Sequence, residues 1–340
     1  MAKLNNIGLS KNDYKGAPTT LCQGCGHNSI ISQIIAACYE MDMLPEDIVK
    51  FSGIGCSSKA PTYMLNRSFG FNGLHGRMPA LATGALLGDP TLTGIAMSGD
   101  GDSASIGMGQ FKHIMRRNVP LVYVIANNGV YGLTKGQLSA TSEVGLTLKK
   151  QGANELEPID ICLEAMASNA TFVARAFAGD PKQVKTLIKA AIHHNGTAIL
   201  DIISPCVTFN NKDTSMHSYA WGREHETPIH DLSFIPARDE IMIEDFEEGT
   251  MQEVIMHDGS KIRLQKVERS YDPTNRIAAV QLIEESRAND LLLTGLIYIA
   301  PNRPSLMDTL NLPETPINRL KCEDMRPAPE TLVKINAAMF

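Results

Sequence analysis

Through the first 210 residues, hydrophobic positions switch between two periods, and the switching predicts alternating helices and strands. Ile30, Ile31, Ile34, Ile35, Cys38 and Met41 recur at three- and four-residue spacing, the mark of a helix with one apolar face. Ile48-Val49-Lys50-Phe51 reads as a strand that stops at the glycine-rich Ser52-Gly53-Ile54-Gly55-Cys56. A turn over Leu74 to Pro79 leads into an Ala/Leu-rich helix reaching about Gly88, with Pro79 suited to a first helical position. Gly94 to Met97 is a strand, Ile106 to Arg117 a helix, and Pro120 to Ala126 a continuous apolar run typical of a strand buried on both faces. Two helix and strand pairs follow, Pro158 to Asn169 with Thr171 to Ala176, and Pro181 to His194 with Ala198 to Ile203. Such alternation predicts an α/β fold, a parallel sheet with helices on both faces.

Beyond about Asn210 the alternation stops. The apolar runs Ile241-Met242-Ile243 and Lys261 to Leu264, separated by Asp258-Gly259, predict a small hairpin, followed by a helix from about Asn275 to Asn289. Pro301, Pro304, Pro313, Pro316, Pro327 and Pro329 predict an extended arm laid over a surface. The expected organisation is a domain over residues 1–210 and an extension over 211–340 that packs on it or on a partner.

Charge and composition narrow the function. The net charge of −6, with no Lys/Arg-rich run among the 340 residues, argues against nucleic acid or an anionic membrane as partners. The first twenty residues lack a signal-peptide core and no apolar run is long enough to span a bilayer, so the expected location is the cytoplasm. Seven cysteines in that reducing setting point to metal or redox chemistry rather than disulfides.

Two fragments carry candidate chemistry at strand ends. Gly99-Asp100-Gly101-Asp102 follows one predicted strand and Asn127-Asn128 the next, so a right-handed crossover makes them neighbours. Alone, the first is an ordinary tight turn and the second a cap or loop. Together they can hold an anion through glycine-flanked amides, and magnesium through the Asp100 carboxylate, the Asn128 amide oxygen and the Val130 carbonyl. Cys22-x-x-Cys25 is open to zinc, a redox dithiol or an iron-sulfur cluster. No second compact pair supports zinc, and no convincing strand precedes the motif as a thioredoxin-like dithiol would require. Cys38 and Cys162 fall on apolar helix faces as core residues.

Gly99-Asp100-Gly101 with Asn127-Asn128 resembles the thiamine diphosphate fingerprint. With Asp102, Gly129-Val130-Tyr131-Gly132-Leu133-Thr134-Lys135-Gly136-Gln137, Cys22-Gln23-Gly24-Cys25-Gly26-His27 and His75-Gly76-Arg77, the chain resembles the beta subunit of 2-oxoacid:ferredoxin oxidoreductases over at least residues 18–210. The resemblance implies the thiamine diphosphate-binding fold and a cofactor site at Gly26, His27, Ile54, Gly55, Ser57, Gly99, Asp100, Gly101, Asp102, Asn128, Tyr131, Gly132, Leu133 and Thr134. It implies magnesium at Asp100, Asn128 and Val130, and a [4Fe-4S] cluster on Cys22, Cys25, Cys56 and Cys206. His27, His75, Arg77 and Lys135 are implied at the reacting end, Lys135 as a cation for a second substrate carboxylate. Ala140 replaces the proline many relatives carry after the Gln-x-Ser stretch.

The implied activity is coenzyme A-dependent oxidative decarboxylation of a 2-oxoacid, with electrons passed to ferredoxin. The resemblance leans toward 2-oxoglutarate over pyruvate or a broad 2-oxoacid range. A pyrimidine-binding domain with its glutamate is missing, which implies an alpha subunit and an (alpha-beta)2 assembly. The competing reading is a non-catalytic interaction subunit with structural zinc.

Overall fold

The computed structural model describes residues 3–235, 251–255, 261–266, 271–313 and 315–339. Seven elements shape the site: helix α1 (Gly26–Glu40), strands β1 (Ile48–Ser52), β2 (Phe69–Asn72), β3 (Thr93–Gly99) and β4 (Leu121–Asn127), and later β5 (Phe172–Phe177) and β6 (Thr197–Ile203). Their parallel pairings run β5-β6-β4-β3-β1-β2 across the sheet. Four neighbours, β6, β4, β3 and β1, therefore end side by side at Ile203, Asn127, Gly99 and Ser52. That carboxyl edge is where open α/β sheets place ligands.

Strand β4 sits at the middle because every residue of it is buried. Val122 and Val124 pack toward α1 and the helix Pro181–His193, while Leu121, Tyr123 and Ile125 pack toward Met108–Arg117 and Ile161–Ala167. Each such aliphatic burial is worth about 1.5–3 kcal/mol. Helix starts follow local chemistry. Asp180 accepts from the amides of Lys182 and Gln183 ahead of Pro181–His193, and Asp160 accepts from Leu163 N. The Asp160 cap explains why the helix expected from Pro158 begins at Ile161.

Three elements differ from expectation. Phe69–Asn72, for which the sequence pattern predicts no element, is an edge strand. Leu292–Ile299, β11, pairs antiparallel with β5, and the short β7 (Glu226–Pro228) pairs with β11, so residues beyond 210 extend the main sheet to eight strands. The separate three-stranded sheet comprises β8 (His230–Ile235), β9 (Met251–Ile255) and β10 (Lys261–Lys266). The arm opposite Lys261–Lys266 is thus Met251–Ile255; Ile241 to Ile243 and the Asp258-Gly259 turn lie outside the described residues. The expected extended arm ends in a helix, Pro329–Met339, whose Leu332, Val333, Ile335 and Met339 are exposed. Among the described residues no helix is long and apolar enough to cross a membrane.

Candidate functional site

Asp100 follows β3 directly and is 1% exposed. Its Oδ2 accepts from the hydroxyls of Ser139 and Thr141, and its Oδ1 from Asn128 N at 3.4 Å. Burial pushes its carboxyl above the usual carboxylate range, with those hydroxyls opposing the shift. A divalent cation beside Oδ1 would offset that desolvation, so the residue's chemistry fits a metal. Asn128 Oδ1 turns back to accept from Val130 N at 3.1 Å, which folds Asn128, Gly129 and Val130 into a tight loop facing Asp100. Gly101 is small for a reason: a Cβ there would lie 2.4 Å from the Tyr131 ring, whose hydroxyl donates to the Gly101 carbonyl.

Asp102 lines a groove, and its side chain is bonded to protein. Its carboxylate accepts from Ser98 Oγ, His75 Nδ1, Gly76 N at 2.7 Å and Ile54 N at 3.2 Å, and it is 3% exposed. It ties three loops together, those of Ile54, His75 and Gly101. Gly53 permits this, since a Cβ there would sit 1.9 Å from Asp102 Oδ2. Bound to Asp102 through Nδ1, His75 lines the groove.

That groove is formed by His27, Ile54, Gly55, Cys56, Ser57, His75, Gly99 to Asp102, Asn128 and Val130 to Thr134. The cavity within it is small, about 40 Å³. His27 is 1% exposed, shares a 2.7 Å hydrogen bond through Nδ1 with Ser204 Oγ, and is pushed down to about 4 by burial, so it is neutral at pH 7. Arg77 and Lys135 do not line the groove. Both are exposed, Arg77 donates locally to the Gly76 carbonyl, and Lys135 sits at φ 75° in a turn.

Cys22, Cys25, Cys56 and Cys206 gather on the flank of the groove. A Cβ on Gly132 would lie 3.5 Å from Cys56 Sγ and 3.7 Å from Cys206 Sγ, so that glycine leaves the space between them open. Burial pushes Cys25 up to about 11, with Cys206, Cys56 and Cys22 adding to the shift; burial and Cys206 likewise raise Cys56. Cys25 and Cys56, raised in this way, would need a neighbouring positive charge such as a metal to be thiolates. Among the described residues no three His, Cys, Asp or Glu side chains converge on one ion. A cubane cluster asks for something else, one thiolate at each of four corners. Gly26 N donates to the Pro205 carbonyl at 3.2 Å, which brings the start of α1 to Cys206. Cys38 and Cys162 are buried in the core, as expected, and Cys322 is exposed in the tail.

Four polar residues around the Asn128–Val130 loop escaped the sequence reading. Asn210 Nδ2 donates to the Asn128 carbonyl at 3.0 Å, Ser215 Oγ donates to Asn210 Oδ1 at 2.7 Å, and Ser142 Oγ donates to the Gly129 carbonyl. His217 Nδ1 stands 3.8 Å from Glu143. Nothing local marked them; their partners come from distant segments. A larger cavity of about 720 Å³ opens beyond Asn127 and Thr141, but its buried charges are satisfied internally, Arg175 by Asp160 at 2.8 Å and Asp201 at 2.9 Å.

Residues 53–202 match the family model described as the thiamine pyrophosphate enzyme, C-terminal TPP binding domain. The chain is 43% identical over 197 residues to the 2-oxoacid:ferredoxin oxidoreductase subunit beta of Saccharolobus solfataricus, covering 57% of this chain and 64% of that one. The match thus spans somewhat under two thirds of that relative's length. Identity is 37% over 193 residues to the 2-oxoglutarate synthase subunit KorB of Methanocaldococcus jannaschii, covering 56% and 71%. Among solved structures, the 2-oxoglutarate:ferredoxin oxidoreductase from Magnetococcus marinus with 2-oxoglutarate, coenzyme A and succinyl-CoA bound superposes with a TM-score of 0.73 at 32% identity, covering 91% of this chain and 90% of that one.

Proposed function

Since the chain belongs to the 2-oxoacid:ferredoxin oxidoreductase beta-subunit family, we propose that it binds the diphosphate end of thiamine diphosphate with magnesium, and carries a [4Fe-4S] cluster that takes electrons from the reaction. The observation that carries this reading is a juxtaposition: Asp100 and Asn128 face one another on adjacent strand ends, and the open space at Gly132 puts Cys56 and Cys206 against the same loop. Asp100, Asn128 and the Val130 carbonyl would hold the metal, and Cys22, Cys25, Cys56 and Cys206 the cluster. Bound thiamine diphosphate supplies the nucleophilic carbon and electron sink that 2-oxoacid decarboxylation needs.

The chain's own residues then have distinct tasks. Gly101 lets a phosphate approach the backbone, and Tyr131 braces that peptide from behind. His27, neutral and buried, presents an uncharged ring to the groove. His75, fixed by Asp102, offers Nε2 as a donor or acceptor at the mouth. Arg77 and Lys135, exposed and outside the groove lining, would meet a substrate carboxylate or a partner rather than the diphosphate. The pyrimidine end would be received by an alpha subunit in an (alpha-beta)2 assembly, with ferredoxin as the electron acceptor, a reading supported by the beta-subunit name of the Saccharolobus relative.

The substrate reading is 2-oxoglutarate with coenzyme A, supported by the names of relatives such as that from Methanocaldococcus jannaschii and by the ligands of the Magnetococcus structure. Anaerobic turnover of the copurified complex with 2-oxoglutarate, pyruvate and branched-chain 2-oxoacids tests it, with coenzyme A and ferredoxin supplied. Highest kcat/KM on 2-oxoglutarate is expected. Preference for pyruvate would overturn the substrate, and a colourless, zinc-loaded, inactive complex would overturn the enzyme.

A further inference from the structure

The segment from Ser204 to Asn210 carries one thiolate of the candidate cluster and touches the metal loop at both ends. Ser204 N donates to the Asn127 carbonyl at 2.7 Å, and Asn210 Nδ2 donates to the Asn128 carbonyl at 3.0 Å. Between those ties, Asn210 N donates to the Cys206 carbonyl at 2.9 Å, closing a turn around the cysteine. Asn210 is 1% exposed and its amide orientation is set by Ser215, so the donor cannot swing away without leaving a buried polar group unpaired.

The packing is equally close. A Cβ on Gly129 would lie 3.0 Å from Asn210 Nδ2, and one on Gly136 would lie 2.6 Å from the Phe209 ring. The 206–210 turn and the 128–136 loop therefore cannot shift independently. Resting on the reading of Cys206 as a cluster ligand and Asn128 as a metal ligand, we infer that Asn210 is a positioning residue that couples the two sites: filling the cluster site sets the Asn128 peptide for metal and diphosphate, and filling the latter holds Cys206 in place.

Coupling between two binding sites is reciprocal, and one well-placed hydrogen bond is enough to make it measurable. Removing the Asn210 donor should uncouple the sites while leaving each able to bind.

The test is calorimetric titration of the anaerobically purified alpha-beta complex with thiamine diphosphate in excess Mg2+, once with its cluster and once after depletion with an iron chelator. In the wild-type protein, depletion should weaken binding by at least about fivefold. In Asn210→Asp, which keeps the shape but replaces the donor with an acceptor, the ratio of the two dissociation constants should fall close to one. Ser215→Ala, which frees the amide and also removes the acceptor of His217 N, should give an intermediate ratio and serves if Asn210→Asp does not fold. Equal affinities with and without cluster in the wild type, or an unaltered ratio in both variants, would overturn the coupling. A wild-type complex lacking cluster absorbance, or failing to bind thiamine diphosphate at all, would remove the underlying reading, and absorbance and heat identify which half has failed.

Discussion

Replacing Asp100 with asparagine separates the cost of its charge from its use. The carboxylate is 1% exposed, its hydrogen-bond partners are the hydroxyls of Ser139 and Thr141 and the amide of Asn128, and burial raises its pKa. A carboxyl whose folded-state pKa is raised favours the folded state most below its unfolded pKa, and that contribution is lost as pH rises through the folded value. Ionising Asp100 in the cofactor-free protein is therefore unfavourable to the fold. Asparagine keeps one oxygen for the two hydroxyls and removes the charge, but turns a donor toward the Asn128 N–H in place of the weak 3.4 Å acceptor, so the two effects oppose and the cofactor-free melting temperature should stay about level. Adding Mg2+ and thiamine diphosphate at 100 times the dissociation constant should stabilise wild-type protein by about 2.7 kcal/mol. At roughly 2 °C per kcal/mol for a chain of this size, that is a shift of about 5 °C. The Asn variant should lose that shift. Differential scanning fluorimetry with and without cofactor reads both numbers. An undiminished cofactor shift in the variant would refute Asp100 as the metal's carboxylate, and a cofactor-free melting point several degrees lower would refute the claim that its charge is unfavourable without metal.

Other sites give independent checks. Arg175→Met leaves Asp160 and Asp201 without their shared cation in a buried setting and should cost about 3–5 kcal/mol in urea unfolding; a loss below 1 kcal/mol would mean the cluster of charges is solvated. Gly132→Val puts a branched side chain into the space between Cys56 and Cys206 and should lower iron content and visible absorbance, whereas full iron loading would contradict the proposed ligand set. Lys50 donates to the carbonyls of Pro61, Met64 and Leu65 but is pushed down to about 8 by burial. The unfolded chain then binds its proton more tightly, so stability should rise from about pH 8 toward the ordinary lysine value, by up to about 3 kcal/mol. The wild-type minus Lys50→Met difference in unfolding free energy isolates that rise, and a flat difference across the window would contradict it.

Where the sequence was informative, the information was local. Gly99 to Asp102 and Asn127-Asn128 lie directly at strand ends, and a buried strand such as Leu121–Asn127 announces itself by apolar content. Parallel topology then brings those ends together without further detail. Leu292–Ile299 was missed although it is equally apolar, because it lies after the helix and strand alternation has ended and enters the sheet antiparallel. The terminal helix was hidden by proline density, yet Pro329 occupies a first helical position, where the ring is tolerated, and no proline follows it. The motif places Asp102 beside Asp100, but the donors its carboxylate takes up, the amides of Ile54 and Gly76, come from loops 48 and 26 residues away, and only the fold shows them. Asn210 is the same case at greater range, 82 residues from the carbonyl it holds.

The central claim is that this chain grips a thiamine cofactor and carries electrons away from it through the adjacent thiolates. Mixing the anaerobic alpha-beta complex with 2-oxoglutarate and coenzyme A, without ferredoxin, and following visible absorbance by stopped flow tests it most directly. The account predicts rapid partial bleaching in the wild type, and no bleaching in Cys206→Ser even where thiamine diphosphate remains bound. Bleaching that persists unchanged in Cys206→Ser, or a wild-type complex with cofactor and substrate whose spectrum never moves, would contradict it.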